Sequence, residues 1–119
     1  MTSVIEVDVW VRGAEHANTH PILSLPSDPT TWRDDDVRRL LTEMLLSLER
    51  ERNPGGEPPA VSLRGFSWVV SPYEGGVVLH LEMQSGTASA GPIAIDEAQL
   101  TTMVTKAIKG QDAPTERVH

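Results

Sequence analysis

Apolar and polar residues alternate one for one between positions 3 and 12. Ile5, Val7, Val9 and Val11 share one parity, and Glu6, Asp8, Trp10 and Arg12 share the other. Period two over this length predicts a half-buried strand. GAEHANTH (13–20) reads as a loop, and Ile22-Leu23-Ser24-Leu25 as a short second strand. Pro21 and Pro26 bracket that strand, which suits a sheet edge. The period then changes. Val37, Leu40, Leu41, Met44, Leu45 and Leu48 fall on one helical stripe. The helix is expected to run to about Arg52, where Asn53-Pro54-Gly55-Gly56 stops it.

After the polar connector NPGGEPPA (53–60), residues 61–71 read as a strand whose phase changes at Gly65. Val61 and Leu63 lie on one parity; Phe66, Trp68 and Val70 lie on the other. A bulge at Gly65 would reset the faces, which leaves open whether Phe66 and Trp68 are core or surface. Ser71 to Gly76 reads as a turn. Val77, Leu79, Leu81 and Met83 then alternate with Val78, His80, Glu82 and Gln84 in a further strand. Ser85-Gly86 suits a two-residue hairpin turn, followed by a strand of small residues over 87–94. Asp96 and Gln99 have capping-box spacing for a last helix, with Ile95 and Leu100 placed as a hydrophobic staple. Leu100, Met103, Val104, Ala107 and Ile108 form its stripe, and Gly110 its end.

The order β-(β)-α-β-β-β-α predicts an α+β two-layer sandwich. The sheet is mainly antiparallel, with four to five strands and two helices packed on one face. Residues 1–110 are expected to form one domain and 111–119 a flexible tail. The α-β-β-β-α portion has the same element order as a double-stranded-RNA-binding domain. Such domains place basic groups at the start of the last helix, where this chain has Asp96-Glu97. No family follows from order alone.

Charge sharpens this picture. The chain carries 17 acids and 10 bases, a net charge of −7. A nucleic-acid partner is therefore not expected, because binding phosphates needs a dense basic face. There is no cysteine, so disulfides, thiol catalysis and cysteine-held metals are excluded. No apolar run reaches the ~18 residues of a membrane span. The N-terminus alternates and lacks a signal-peptide pattern, so a cytoplasmic location is expected.

TWRDDDVRRLL (31–41) is the loudest stretch. Consecutive residues on a helix point about 100° apart, so Asp34, Asp35 and Asp36 diverge rather than converge on a metal. They are instead expected to open the helix, with Thr31 and Asp34 at capping-box spacing, Asp34 meeting Arg38, and Asp35 meeting Arg38 or Arg39. His16, His20, His80 and His119 have no specific ligand spacing, and no HExxH occurs. Neither a nucleophile elbow nor a phosphate loop is present. No catalytic residue, metal or cofactor is assigned.

Misplaced apolar residues carry the functional expectation. Trp10, Val78 and His80, with Trp68 if its phase turns outward, form a candidate aromatic patch on the sheet face away from the helices. Leu46, opposite the stripe of the first helix, is a smaller candidate anchor. The expected function is a small acidic interaction module without catalytic activity: an adaptor, an assembly factor or an inhibitor of a more basic protein. Self-association is a further expected use of the patch. The alternative is a small-molecule-binding protein or small enzyme, with a pocket between sheet and helices near His80 that uses His80, Tyr73 or Trp68.

Overall fold

The computed structural model describes residues 5–22, 25–26, 28–53, 55–56 and 65–112. The proposed strand portion at 61–64 and the tail at 113–119 lie outside the described residues. The elements are β1 (Ile5–Val11), β2 (Asn18–Ile22), α1 (Asp34–Arg52), β3 (Ser67–Tyr73), β4 (Gly76–Met83), β5 (Gly86–Ile93) and α2 (Glu97–Asp112). All strand pairs are antiparallel, in the spatial order β2-β1-β5-β4-β3. Both helices cover one face of this five-stranded sheet, as the α+β sandwich expectation required.

Register explains which side chains are covered. Val7 faces Ala90 and Val9 faces Ala88 across β1 and β5; Leu79 and Leu81 face the same two alanines from β4. Val70 and Trp68 continue these rows on β3, opposite Leu79 and Leu81. Directly opposed residues share a face, so Trp68 and Val70 belong to the helix side. Val70 is buried, and Phe66 and Trp68 pack against the core partly buried. That fixes the phase that the sequence left open at Gly65.

β5 is the low point of this inner surface. It offers Gly86, Ala88 and Ala90 where its neighbours offer valines and leucines. α1 lies over β1 and β5 and buries Val37, Leu40, Leu41, Met44 and Leu48 almost completely. A Cβ on Gly86 would sit 2.2 Å from the Trp10 carbonyl oxygen and 3.0 Å from Leu48 Cδ1. With φ at 153° as well, the position is closed to any side chain. Further along, Ala90 pairs with Leu79 but Ile93 with Val77, so β5 holds one extra residue there. This bulge lets both Ala90 and Ile93 face inward while Pro92 stays exposed.

Several boundaries differ from the periodicity. The second strand is Asn18–Ile22, earlier than Ile22–Leu25, with Pro21 inside it. Proline is tolerated there because β2 is an edge strand. β3 runs on to Tyr73, leaving only Glu74-Gly75 as the turn, and the next turn is Gln84-Ser85, with Gly86 already in β5. α2 extends to Asp112, past the expected stop at Gly110.

Helix starts use local carboxylates. Asp96 Oδ2 accepts from the Gln99 backbone N–H at 3.1 Å, the expected cap. At α1 the cap shifts by two residues: Asp36 Oδ2 accepts from the Arg33 N–H at 2.9 Å. Thr31 is drawn instead into a 3-10 turn, Pro29–Thr31. Asp28 caps that turn through the Thr30 hydroxyl at 2.7 Å and the Thr30 N–H at 3.0 Å. These two bonds hold its carboxyl below the usual value of 3.8, the hydroxyl contributing most. Their support is present above that pH and is lost as pH falls through the lowered value. Of the expected ion pairs, Asp35 with Arg38 forms at 2.9 Å.

β2 is held from below by α1. Glu51 Oε1 accepts from Asn18 Nδ2 at 2.8 Å, and Glu51 Oε2 lies 2.7 Å from His20 Nε2, whose N–H donates. Both His20 and Glu51 are partly shielded.

Two stability outcomes follow. Asp36→Ala is expected to cost about 1 kcal/mol in urea unfolding through the lost cap, whereas Asp34→Ala stays within about 0.5 kcal/mol. Glu51→Ala is expected to cost about 1 kcal/mol by leaving the part-buried His20 donor unpaired, while the exposed Asn18 amide turns to water. Its amide exchange should rise selectively over residues 18–22, while the β3–β4 hairpin stays protected.

Candidate functional site

The parity that sends Val7, Ala88, Leu81 and Val70 under the helices sends another set to the opposite face. Neither helix covers that face. Its central row reads Thr19, Asp8, Ser89, His80, Val69 from β2 to β3. The neighbouring row reads Trp10, Thr87, Glu82, Ser67. On the other side stand Val78 and Ser71, and beyond them Tyr73.

Trp10 is 53% exposed and Tyr73 62% exposed, large for aromatic side chains. Trp10 is nonetheless fixed: its indole Nε1 donates to the Ala14 carbonyl at 2.8 Å. Gly13, at φ +90°, turns the chain so that Ala14 can fold back. The Ala14 N–H in turn donates to the Val11 carbonyl at 2.9 Å. A tight turn thus holds the indole upright at the end of β1.

Between the two aromatics runs a trough of about 640 Å³. Trp10 and Ala17 stand at one end, Pro72 and Tyr73 at the other. Asp8, Ser89, His80, Val78 and Gly91 also line it. Two polar links fix its surface. Thr19 Oγ1 donates to Asp8 Oδ1 at 2.7 Å. His80 Nδ1 lies 2.8 Å from Ser89 Oγ, with the direction of that bond set by the tautomer.

Among the described residues the charge of this face is mainly negative. Glu6, Asp8 and Glu82 are exposed carboxylates on it. The cation at its margin is Arg12, whose Nε donates to the Gln84 carbonyl at 2.6 Å.

The sequence candidates therefore divide. Trp10, Val78 and His80 come together on the open face. Trp68 borders a small hollow with His80 at the β3 edge, but its register with Leu81 turns it to the helix side, where it packs partly buried on the core. Leu46 lies half-buried in α1, in the helix layer on the other side of the sheet. His80 points away from the helices, so the expected pocket between sheet and helices near it gives way to the open trough. Periodicity missed Val69, although it was readable as the residue opposed in parity to Trp68. Tyr73, expected beside His80 in the pocket of the alternative reading, had no face because its segment read as a turn.

Chemical alternatives can be weighed on this geometry. His16 sits exposed beside Glu15, His20 binds Glu51 under β2, and His80 lies on the open face, so these three do not converge. Among the described residues no group of three histidine, aspartate or glutamate side chains is placed to hold a metal. Ser89 and His80 have the spacing of a nucleophile and its base. They stand on inner strands, and Ser89 is in register with both Asp8 and His80, so the backbone beside its hydroxyl is taken up by the ladder. Among the described residues no helix is long and apolar enough to cross a membrane. No family of known proteins, no curated protein and no solved structure matches this chain.

Proposed function

We propose that this protein acts by docking a basic protein partner on the open face of its sheet, as a small interaction module rather than a catalyst. The observation that carries this reading is the indole of Trp10, held exposed by its bond to the Ala14 carbonyl beside a trough that Asp8 lines. An aromatic anchor already fixed in place loses little conformational freedom on binding. Tryptophan and tyrosine are also the side chains most enriched at binding hot spots. Asp8, Glu6 and Glu82 supply a negative field around them, which favours lysine and arginine on the partner and speeds its approach. The same carboxylates disfavour a second copy placed face to face, since each would meet its own kind. A cytoplasmic role as adaptor, assembly factor or inhibitor fits such a surface.

Trp10→Ala is expected to leave the fold intact, with unfolding free energy changed by less than about 1 kcal/mol. Partner affinity should fall about 30-fold or more, the loss typical of a ~2 kcal/mol anchor. The measurement is capture from native lysate with wild-type and Trp10→Ala baits at low and high salt. A specific partner would be basic, lost with the variant, and weakened by salt. Capture indifferent to both changes would sink the reading. Unfolding of Trp10→Ala would show instead that the indole serves the fold.

A second reading rests on the Ser89–His80 contact and the size of the trough, which lies in the range of small-ligand sites. Here the hydroxyl and the imidazole orient a small polar ligand, or the imidazole activates the hydroxyl. Ser89→Ala separates the two readings. It should abolish ligand-induced thermal stabilisation under the second and barely alter partner capture under the first.

A further inference from the structure

Among the described residues, the two edges of the sheet are built differently. β2 is five residues long and contains Pro21. β3, at the opposite edge, is seven residues long. From Gly65 to Tyr73 the sequence GFSWVVSPY carries no charge. Edge strands are normally blunted by charge, shortness or an internal proline. In β3 the proline comes second from the end.

The hairpin shows which backbone groups face outward. Tyr73 and Gly76 pair directly across the two-residue turn Glu74-Gly75. The pair closing such a turn is hydrogen-bonded, and bonded pairs alternate along the strand. Ser67, Val69, Ser71 and Tyr73 therefore turn their N–H and C=O groups toward β4. Trp68, Val70 and Pro72 turn theirs to the outer edge. The N–H that Pro72 lacks is thus missing from the edge and not from the ladder with β4.

We infer that a second copy of this chain pairs antiparallel along β3, with the Val69 residues of the two copies opposite each other at the two-fold axis. Two five-stranded sheets would then become one continuous sheet. In this register Trp68 exchanges both hydrogen bonds with the partner copy's Val70, and the reverse. Phe66 donates to the carbonyl of the facing Pro72, so the missing N–H falls at the end of the contact. A register centred on Val70 sets Pro72 against Trp68 and loses bonds inside the ladder. One centred on Trp68 pushes pairing past the strand to Gly65, whose φ is +77°.

Side chains agree with the register. Val69 is 53% exposed in the single chain. At the axis it meets its own copy in a non-hydrogen-bonded pair, about 4.5 Å between Cα atoms, and apolar β-branched pairs favour such positions. Ser67 meets Ser71. No charge opposes a like charge along the contact, although each chain carries −7. This is why the occupant is a second copy: two acidic chains can meet where the strand is bare. A basic partner gains its charge complementarity at the carboxylates of the open face instead. The inference stands independently of the docking proposal.

Equilibrium sedimentation of the full chain tests it. The mass should rise from 13.0 kDa toward twice that value across the micromolar range. Val69→Lys should give a monomer with unchanged circular dichroism. Val69→Cys adds the chain's first cysteine and should oxidise to a disulfide-linked dimer, because about 4.5 Å lies within the ~4.4–6.8 Å that a disulfide spans between Cα atoms. Ser67→Cys and Ser71→Cys, which do not face themselves, should stay unlinked under the same oxidation. A chain monomeric to about millimolar concentration overturns the inference, including the case in which β3 pairs with a different protein. So does a dimer that survives Val69→Lys, or cross-linking as efficient through Ser71→Cys as through Val69→Cys.

Discussion

The structure depends on the close approach of α1 to a strand made of small residues. Interiors are packed as densely as organic crystals, so a helix carrying Leu40, Leu41, Met44 and Leu48 needs a surface that recedes beneath it. β5 provides that surface with Gly86, Ala88 and Ala90, while β1 and β4 rise on either side with Val7, Val9, Leu79 and Leu81. The fit is tightest at Gly86, where a methyl group would strike both the Trp10 carbonyl and Leu48. Because β5 lies at the centre of the strand order, this contact sets the distance of the whole helix layer from the sheet. The N-caps, the Glu51 anchor on β2 and the bulge at Gly91-Pro92 adjust elements whose positions it already determines.

Covering one face so completely leaves the other uncovered. Among the described residues, no second layer lies opposite the two helices to hide apolar side chains. Antiparallel sheets of this kind usually place polar residues there. Glu6, Asp8, Glu82 and Ser89 follow that rule. Trp10, Val69 and Tyr73 do not, and none of them belongs to the buried core. They are the residues whose identity asks for an explanation outside stability.

Much of this was legible in the sequence because strand and helix periods differ. The alternation at 5–11, the stripe from Val37 to Leu48 and the capping box at Asp96 identified their elements and faces directly. Boundaries were less legible where short polar residues suit both a turn and a strand. Asn18-Thr19-His20 reads as loop, yet the anchor that Glu51 offers to Asn18 and His20 comes from 33 and 31 residues away. No local pattern encodes such a contact. The phase of Trp68 was unreadable for a related reason. It depends on the pairing of β3 with β4, which decides between two parities equally apolar in the sequence. The trough was invisible because its lining comes from several strands and only their spatial order brings it together.

That spatial order links the fold to the site through the same strand. β5 is small on both faces: Gly86, Ala88 and Ala90 inward, Thr87, Ser89 and Gly91 outward. The inward set admits α1. The outward set makes a depression, because larger side chains stand on the flanking strands, Trp10 on β1 and Val78 and His80 on β4. A groove on a sheet needs a low strand between higher ones, and a central strand placed to receive a helix tends to be low. The polar links then act within that depression. Ser89 is short enough to reach His80 across the strand gap at 2.8 Å, and Asp8 is fixed from the far side by Thr19. A larger residue at 89 would fill the trough without touching the core. One at 88 would lift α1 without touching the trough. Fold and candidate site are thus separable by single positions on one strand, although the small size of that strand underlies both.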